Sequence, residues 1–254
     1  MGRKKVTQAG VLSALAMSFA TGGRGMMRDD AGTKPAQRLR LYDMEGCPFC
    51  RVVRERLCEL ELDVEIYPCP KGGKRYRPIA EKLIGEKTTF PVLHDPNREV
   101  ALNESADIVR YLNEHYGGGR SKGPGLMAKP SNIIASVFRP GAGTRAEASK
   151  EPQELLTLYS FEPSPFARLV RERLTELEIP YVVHQMPRDK WGDVGPSGNR
   201  LGGADWEPTP GSRRAEMVEK FGKAQVPFLI DPNTGTEMFE SSKIVRYLEE
   251  TYAA

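Results

Sequence analysis

The chain has 254 residues, 39% hydrophobic and 28% charged, with 37 Lys and Arg against 34 Asp and Glu. That length suits two domains of about 100 residues each, and a net charge of +3 without a clustered basic face argues against nucleic-acid binding. Four cysteines do not make a secreted disulfide scaffold at this length, and one C-x-x-C with three scattered histidines (His94, His115, His184) leaves no metal expected.

In chain order, Met1 to Arg28 carries five basic residues (Arg3, Lys4, Lys5, Arg24, Arg28) and no acid. Its apolar run, Gly10 to Ala20, falls short of the roughly 20 residues that span a bilayer, so no transmembrane helix is expected. Residues 1–37 read as a disordered tail or as a signal or organellar transit peptide. The expectation is a soluble protein, cytoplasmic, or plastid or mitochondrial if that segment is a transit peptide.

Leu39-Arg40-Leu41-Tyr42 alternates as a strand does. Next comes Cys47-Pro48-Phe49-Cys50, with Pro48 at the start of a helix whose Val53, Leu57 and Leu60 share one face. Val64 to Tyr67 makes a second strand, parallel to the first because a helix joins them. Phe90-Pro91-Val92-Leu93-His94-Asp95-Pro96-Asn97 reads as a hairpin turning at Asp-Pro-Asn. Glu104-Ser105 then opens a last helix, with the serine placed to cap it.

The same order returns after a linker, residues 118–153, that carries an apolar patch from Ile133 to Phe138. Leu158-Tyr159 matches Leu41-Tyr42 at an offset of 117, and Val170-Arg171-Glu172-Arg173-Leu174 repeats Val53-Arg54-Glu55-Arg56-Leu57. Where the first copy has Cys-Pro-Phe-Cys, the second has Ser164-Pro165-Phe166-Ala167. Val226-Pro227 and Glu240-Ser241 answer Phe90-Pro91 and Glu104-Ser105 at an offset of 136, so the second copy carries 19 extra residues. They fall between Lys190 and Ser212, around Trp191 and Trp206, and suggest a long surface loop near that unit's active-site edge. One duplicated unit has kept its dithiol and the other has lost it. The two are expected to pack in a pseudo-twofold manner through their similar helices, with the linker in the seam, so that no large apolar face stays exposed.

Strand, Cys-Pro-Phe-Cys helix, strand, a hydrophobic-Pro hairpin and a Glu-Ser helix start together resemble the glutaredoxin and glutathione transferase N-terminal domain. That resemblance implies an α/β chain of two tandem thioredoxin-like domains (βαβ–ββα), residues 38–117 and 154–254. It is similar to two-domain proteins of plants and bacteria, and distantly to the membrane-associated prostaglandin E synthase. The all-helical domain that follows in the transferases is not expected here. The resemblance implies that Cys47 is the nucleophile and Cys50 the shielded resolving thiol. A helix N-terminus would favour the Cys47 thiolate. It also implies a glutathione site of Pro48, Phe49, Phe90, Pro91, Glu104 and Ser105, with Phe90 before a cis-proline and Lys71 or Lys74 near the glycyl end.

In the second domain, Ser164, Val226, Pro227, Glu240 and Ser241 are either a second glutathione site or residues that preserve the fold; the latter, redox-inactive, is expected. A zinc pair is the rival reading of the dithiol, but one pair at a helix start after a strand favours redox chemistry. Cys58 is expected to be structural, and Cys69, between Pro68 and Pro70, is a candidate for exposure and glutathionylation. The implied function is a glutathione-dependent thiol–disulfide oxidoreductase, glutathione serving as cosubstrate and small-molecule or protein disulfides as partners. The alternatives are a conjugating glutathione transferase, a non-enzymatic redox sensor or scaffold that binds a protein partner through the long loop, and a cluster bridged by Cys47 and glutathione, against which Pro48 counts.

Overall fold

The computed structural model describes residues 6–20, 24–29, 33–85, 87–118 and 141–254. In the first unit, β1 (Leu39–Asp43) and β2 (Val64–Pro68) run parallel on either side of α2 (Pro48–Glu59), as a helical crossover requires. After α3 (Arg77–Ile84), β3 (Val92–Asp95) pairs antiparallel with β1 and with β4 (Val100–Leu102), and α4 (Ser105–Tyr116) follows. The second unit repeats this as β5 (Leu156–Ser160), α5 (Pro165–Glu176), β6 (Tyr181–Gln185), α6 (Arg213–Phe221), β7 (Phe228–Asp231), β8 (Thr236–Phe239) and α7 (Ser241–Thr251). The α/β architecture of two thioredoxin-like units stands, and among the described residues no all-helical domain accompanies it.

The sequence reading lacked α3 and α6. Both are short, but their stops were legible: Gly85 and Gly222 end them at φ 86° and 76°, in the left-handed region glycine enters freely. Residues on one face of the first unit's sheet, such as Leu39 and Leu41, join a core that includes Leu57, Leu112, Leu158, Leu174 and Leu248. On the other face Tyr42 and Val92 pack with Tyr76 and Ala80 at α3.

The two units meet by strand pairing, where the sequence suggested packing between helices. β2 and β6 run antiparallel, Glu65 opposite Val182, giving one eight-stranded sheet in the order β4-β3-β1-β2-β6-β5-β7-β8. Each unit thereby covers an edge whose backbone groups would otherwise lie open. The patch Ile133–Phe138 lies outside the described residues, but the end of the linker does reach the seam. The amide of Lys71 donates to the Thr144 carbonyl at 2.7 Å and that of Ala146 to the Lys71 carbonyl at 3.0 Å.

Part of the segment expected as a disordered tail or targeting peptide is structured. α1 (Gln8–Ala20) packs on α5, and residues 24–29 pair with Arg188 as residues 143–147 pair with Lys71. Gly25 and Gly143 hold matching places in the two straps, at φ 74° and 62°, and at each an added Cβ would lie 3.2 Å from a helix Cα, Glu55 or Glu172. The duplication therefore extends beyond the stretches matched by sequence. Among the described residues, no helix is long and apolar enough to cross a membrane.

Candidate active site at Cys47

A thiol at the end of a tight turn, directly before a proline, is placed to cap a helix. Cys47 is the N-cap of α2, with φ −83° and ψ 123°, and Pro48 fills the first turn, where a missing N–H costs nothing. The Cys50 amide donates to Cys47 Sγ at 3.4 Å, and Sγ lies 3.8 Å from the Phe90 carbonyl oxygen, at the cis Phe90–Pro91 bond. Hydrogen bonding from Cys50 lowers the Cys47 pKa to about 7, against burial and with help from backbone N–H groups and Arg54. Cys50 is fully buried; burial, and then its bond to Cys47, raise it well above the ordinary thiol range. A thiol with its pKa lowered toward neutrality thus sits one turn from a shielded thiol whose pKa is raised.

The other two thiols are shifted the opposite way to Cys47. Burial pushes Cys58 up to about 12 and raises Cys69 further. The expectation that Cys69 is exposed is corrected: it is fully buried, its Sγ 3.4 Å from the Tyr67 carbonyl oxygen, because α3 covers it.

Phe49 is 42% exposed beside the thiol. Glu104 is the exposed N-cap of α4 and Ser105 its buried first residue, so the serine does not cap that helix as expected. The side chains of Lys71 and Lys74 stay exposed, while the Arg77 guanidinium lies over the Phe90 ring at 4.6 Å. Arg77 is the cation beside Phe90 that sequence reading missed, since the helix it begins was itself missed. The residues present suit a glutathione: a thiol, a backbone edge at Phe90, a helix N-terminus at Ser105 and a nearby guanidinium. Among the described residues no group of His, Cys, Asp and Glu could hold a metal ion.

The second copy keeps the scaffold and has no thiol at either position. Ser164 is the N-cap of α5 and its Oγ accepts from the Ala167 amide at 3.2 Å, the same bond the Cys47 sulfur makes. Val226–Pro227 is likewise cis. Glu240 differs from Glu104: its backbone turns to φ 75° and its carboxylate accepts from Gln225 Nε2 at 2.5 Å. The inserted loop, including a short 3-10 turn at Trp191–Asp193, lines a groove of about 570 Å³ with Arg200, Trp206, Val218 and Lys223. That groove belongs to the second unit and does not include Cys47.

Between the two helix starts lies a cluster of charge that the sequence reading did not foresee. Arg51 and Arg54 of α2, Arg168 and Arg171 of α5, and Glu45 and Glu162 of the preceding turns are all at most 3% exposed. Arg54 pairs with Asp43, Glu45 and Glu162, and Arg171 with Glu45 and Glu162. The signal was the repetition of these charged positions in both copies, which a solvated helix face does not demand.

The family model described as glutathione S-transferase, N-terminal domain, matches residues 41–121 and again 158–254. No curated protein and no solved structure matches the chain.

Proposed function

The chain belongs to the glutathione S-transferase N-terminal-domain family, and from that premise we propose that it is a glutathione-dependent thiol–disulfide oxidoreductase acting through Cys47. The observation that carries the reading is the contrast at one N-cap: a thiol with a pKa near 7 above a shielded thiol in the first unit, a serine above an alanine in the second.

The Cys47 thiolate attacks the glutathionyl sulfur of a mixed disulfide. A Cys47–glutathione disulfide forms, the substrate's S–S bond breaks, and the substrate sulfur leaves and takes a proton. A second glutathione thiolate then attacks that bond, releasing oxidised glutathione and restoring the Cys47 thiolate. The incoming glutathione sulfur is oxidised from thiolate to disulfide and the substrate sulfur is reduced to a thiol, while the glutathionyl sulfur stays at the disulfide level throughout. For a protein disulfide, Cys50 must give up its proton to resolve the adduct, leaving a Cys47–Cys50 disulfide that two glutathiones reduce. Phe90 and the start of α4 would hold the tripeptide, with Phe49 at the mouth.

The second unit serves the fold. Its serine makes the cap bond that Cys47 makes but carries a hydroxyl, far less acidic than a thiol, and its Glu240 carboxylate is already bonded to Gln225. The test is a glutathione-dependent disulfide reduction assay run beside a conjugation assay with an aromatic electrophile. Reduction without conjugation supports the proposal. Conjugation that survives loss of the Cys47 thiol would replace it with a transferase reading.

A further inference from the structure

Glu45 stands two residues before Cys47, within the turn that ends at the thiol. Its carboxylate accepts from Arg171 Nε at 3.0 Å and Arg171 Nη2 at 3.1 Å, a two-point grip, and lies 3.1 Å from Arg168 Nη1. Both arginines belong to the unit without a thiol. The same turn is held from its own side, where Arg54 Nη2 donates to the Glu45 carbonyl at 3.1 Å. It is held from the strap as well: the Gly46 amide donates to the Gly143 carbonyl at 3.1 Å, and a side chain at 46 would strike Thr144 and the Ala142 carbonyl.

Stability alone is a poor reason to bury so much charge. A buried ion network costs heavily in desolvation, and apolar side chains of similar volume often hold a seam as well or better. What a planar guanidinium adds is direction, because two parallel hydrogen bonds fix a carboxylate in position and in angle. Cys47 needs that placement, since the donor at Cys50 N and the neighbour at Phe90 O both depend on where the turn sets the sulfur.

We propose that the second unit is a positioning partner for the Cys47 site, with Arg171, assisted by Arg168, gripping Glu45 across the seam and so setting the turn that presents the thiol. This rests on the reading of Cys47 as the reacting thiol. The copy without a thiol thereby acquires a role of its own, and Arg171 is a positioning residue, touching neither sulfur nor substrate. The charged groups around the turn are Asp43, Arg51, Arg54 and Glu55 from the first unit, and Glu162, Arg168, Arg171 and Glu172 from the second, with Arg77 over Phe90.

Arg171→Lys keeps the charge and gives up the two-point grip. In the full chain, the pH midpoint of Cys47 alkylation by iodoacetamide, read by peptide mass analysis, should rise by about half a unit or more. Exchange with a glutathionylated substrate should fall about tenfold. Arg173→Lys is the control: it lies on the same helix, equally buried, with Glu147, Glu176 and Glu249 as its partners. It should lose comparable thermal stability and leave both readouts where they were. An unmoved midpoint in Arg171→Lys, or an equal rise in Arg173→Lys, overturns the proposal. Should Arg171→Lys fail to fold, Arg168→Lys, which releases a single contact to Glu45, must raise the midpoint by a smaller step, and an unchanged midpoint there overturns it as well. A wild type without disulfide exchange, but with an alkylation midpoint that Arg171→Lys still raises, would defeat the oxidoreductase reading and leave the positioning role standing.

Discussion

At position 47 a sulfur, and at position 164 an oxygen, accept a hydrogen bond from the amide three residues on, at 3.4 and 3.2 Å. The second copy thus shows that a serine at this place caps the helix as the sulfur does. Cys47→Ser should accordingly fold with little change in thermal midpoint and lose disulfide exchange altogether. Cys50→Ser should keep monothiol activity on glutathionylated substrates, because the shielded thiol is needed only to resolve protein disulfides. Thiol absorbance titration should find Cys47 ionising near pH 7 and Cys50 far above it, as their opposite shifts require; if Cys50 ionises first, the roles are reversed. The place of Cys47 at the helix start was legible in the sequence, since a thiol before a helix-starting proline has few other places to be; the roles of the two thiols came from the family resemblance. The burial of Cys69 was not legible. It depends on α3, whose Arg77 donates to the Cys69 carbonyl at 2.9 Å, and on neighbours that only the folded chain brings together.

Among the elements, α2 and α5 are the ones whose sequence misleads. Their apolar stripes mark one buried face, yet every residue of α2 from Cys50 to Cys58 is buried, four charged side chains among them. Charge on a helix reads as solvent-facing until a second copy of the same helix is laid beside it. The helix starts are more local, and more testable. Ser164→Ala removes only a cap and should cost about 1 kcal/mol of stability, measured by urea unfolding, while glutathione binding stays as in the wild type. Ser105→Ala should weaken glutathione binding about tenfold or more, because a hydrogen bond to a charged group is worth roughly 1.5–3 kcal/mol. Ser241→Ala should leave the affinity alone. Equal losses by calorimetry for the two serines would mean that the second site works and that Glu240 is not silenced by Gln225.

For the whole molecule, the repeat predicted two like units in one chain, and the β2–β6 junction decides how they are joined. Strand edges give no sequence signal for which partner they will find, so the continuous sheet had to be seen. The seam beneath it carries a pH signature. Glu45 is fully buried, which by itself would raise its pKa, but Arg171, Arg54 and Arg168 hold it down at about 2. Its folded pKa is below its unfolded one, so its contribution is present above about pH 4.5 and is lost as pH falls toward about 2. Asp43 runs the other way: burial raises it to about 6, so it penalises the fold increasingly as pH rises from about 4 through 6. Glu45→Gln should therefore lose less stability than the wild type between about pH 4.5 and about 2, and parallel unfolding curves would show the seam electrostatically idle. All four cysteines lie in the unit that kept its dithiol, and Cys47 alone among them has its pKa lowered. The most direct measurement is to treat Cys50→Ser with oxidised glutathione near neutral pH and map the adduct by peptide mass spectrometry. A single glutathionyl group, on Cys47, is the expected product. An adduct on Cys58 or Cys69, or an unmodified Cys47, would contradict the assignment of Cys47 as the nucleophile.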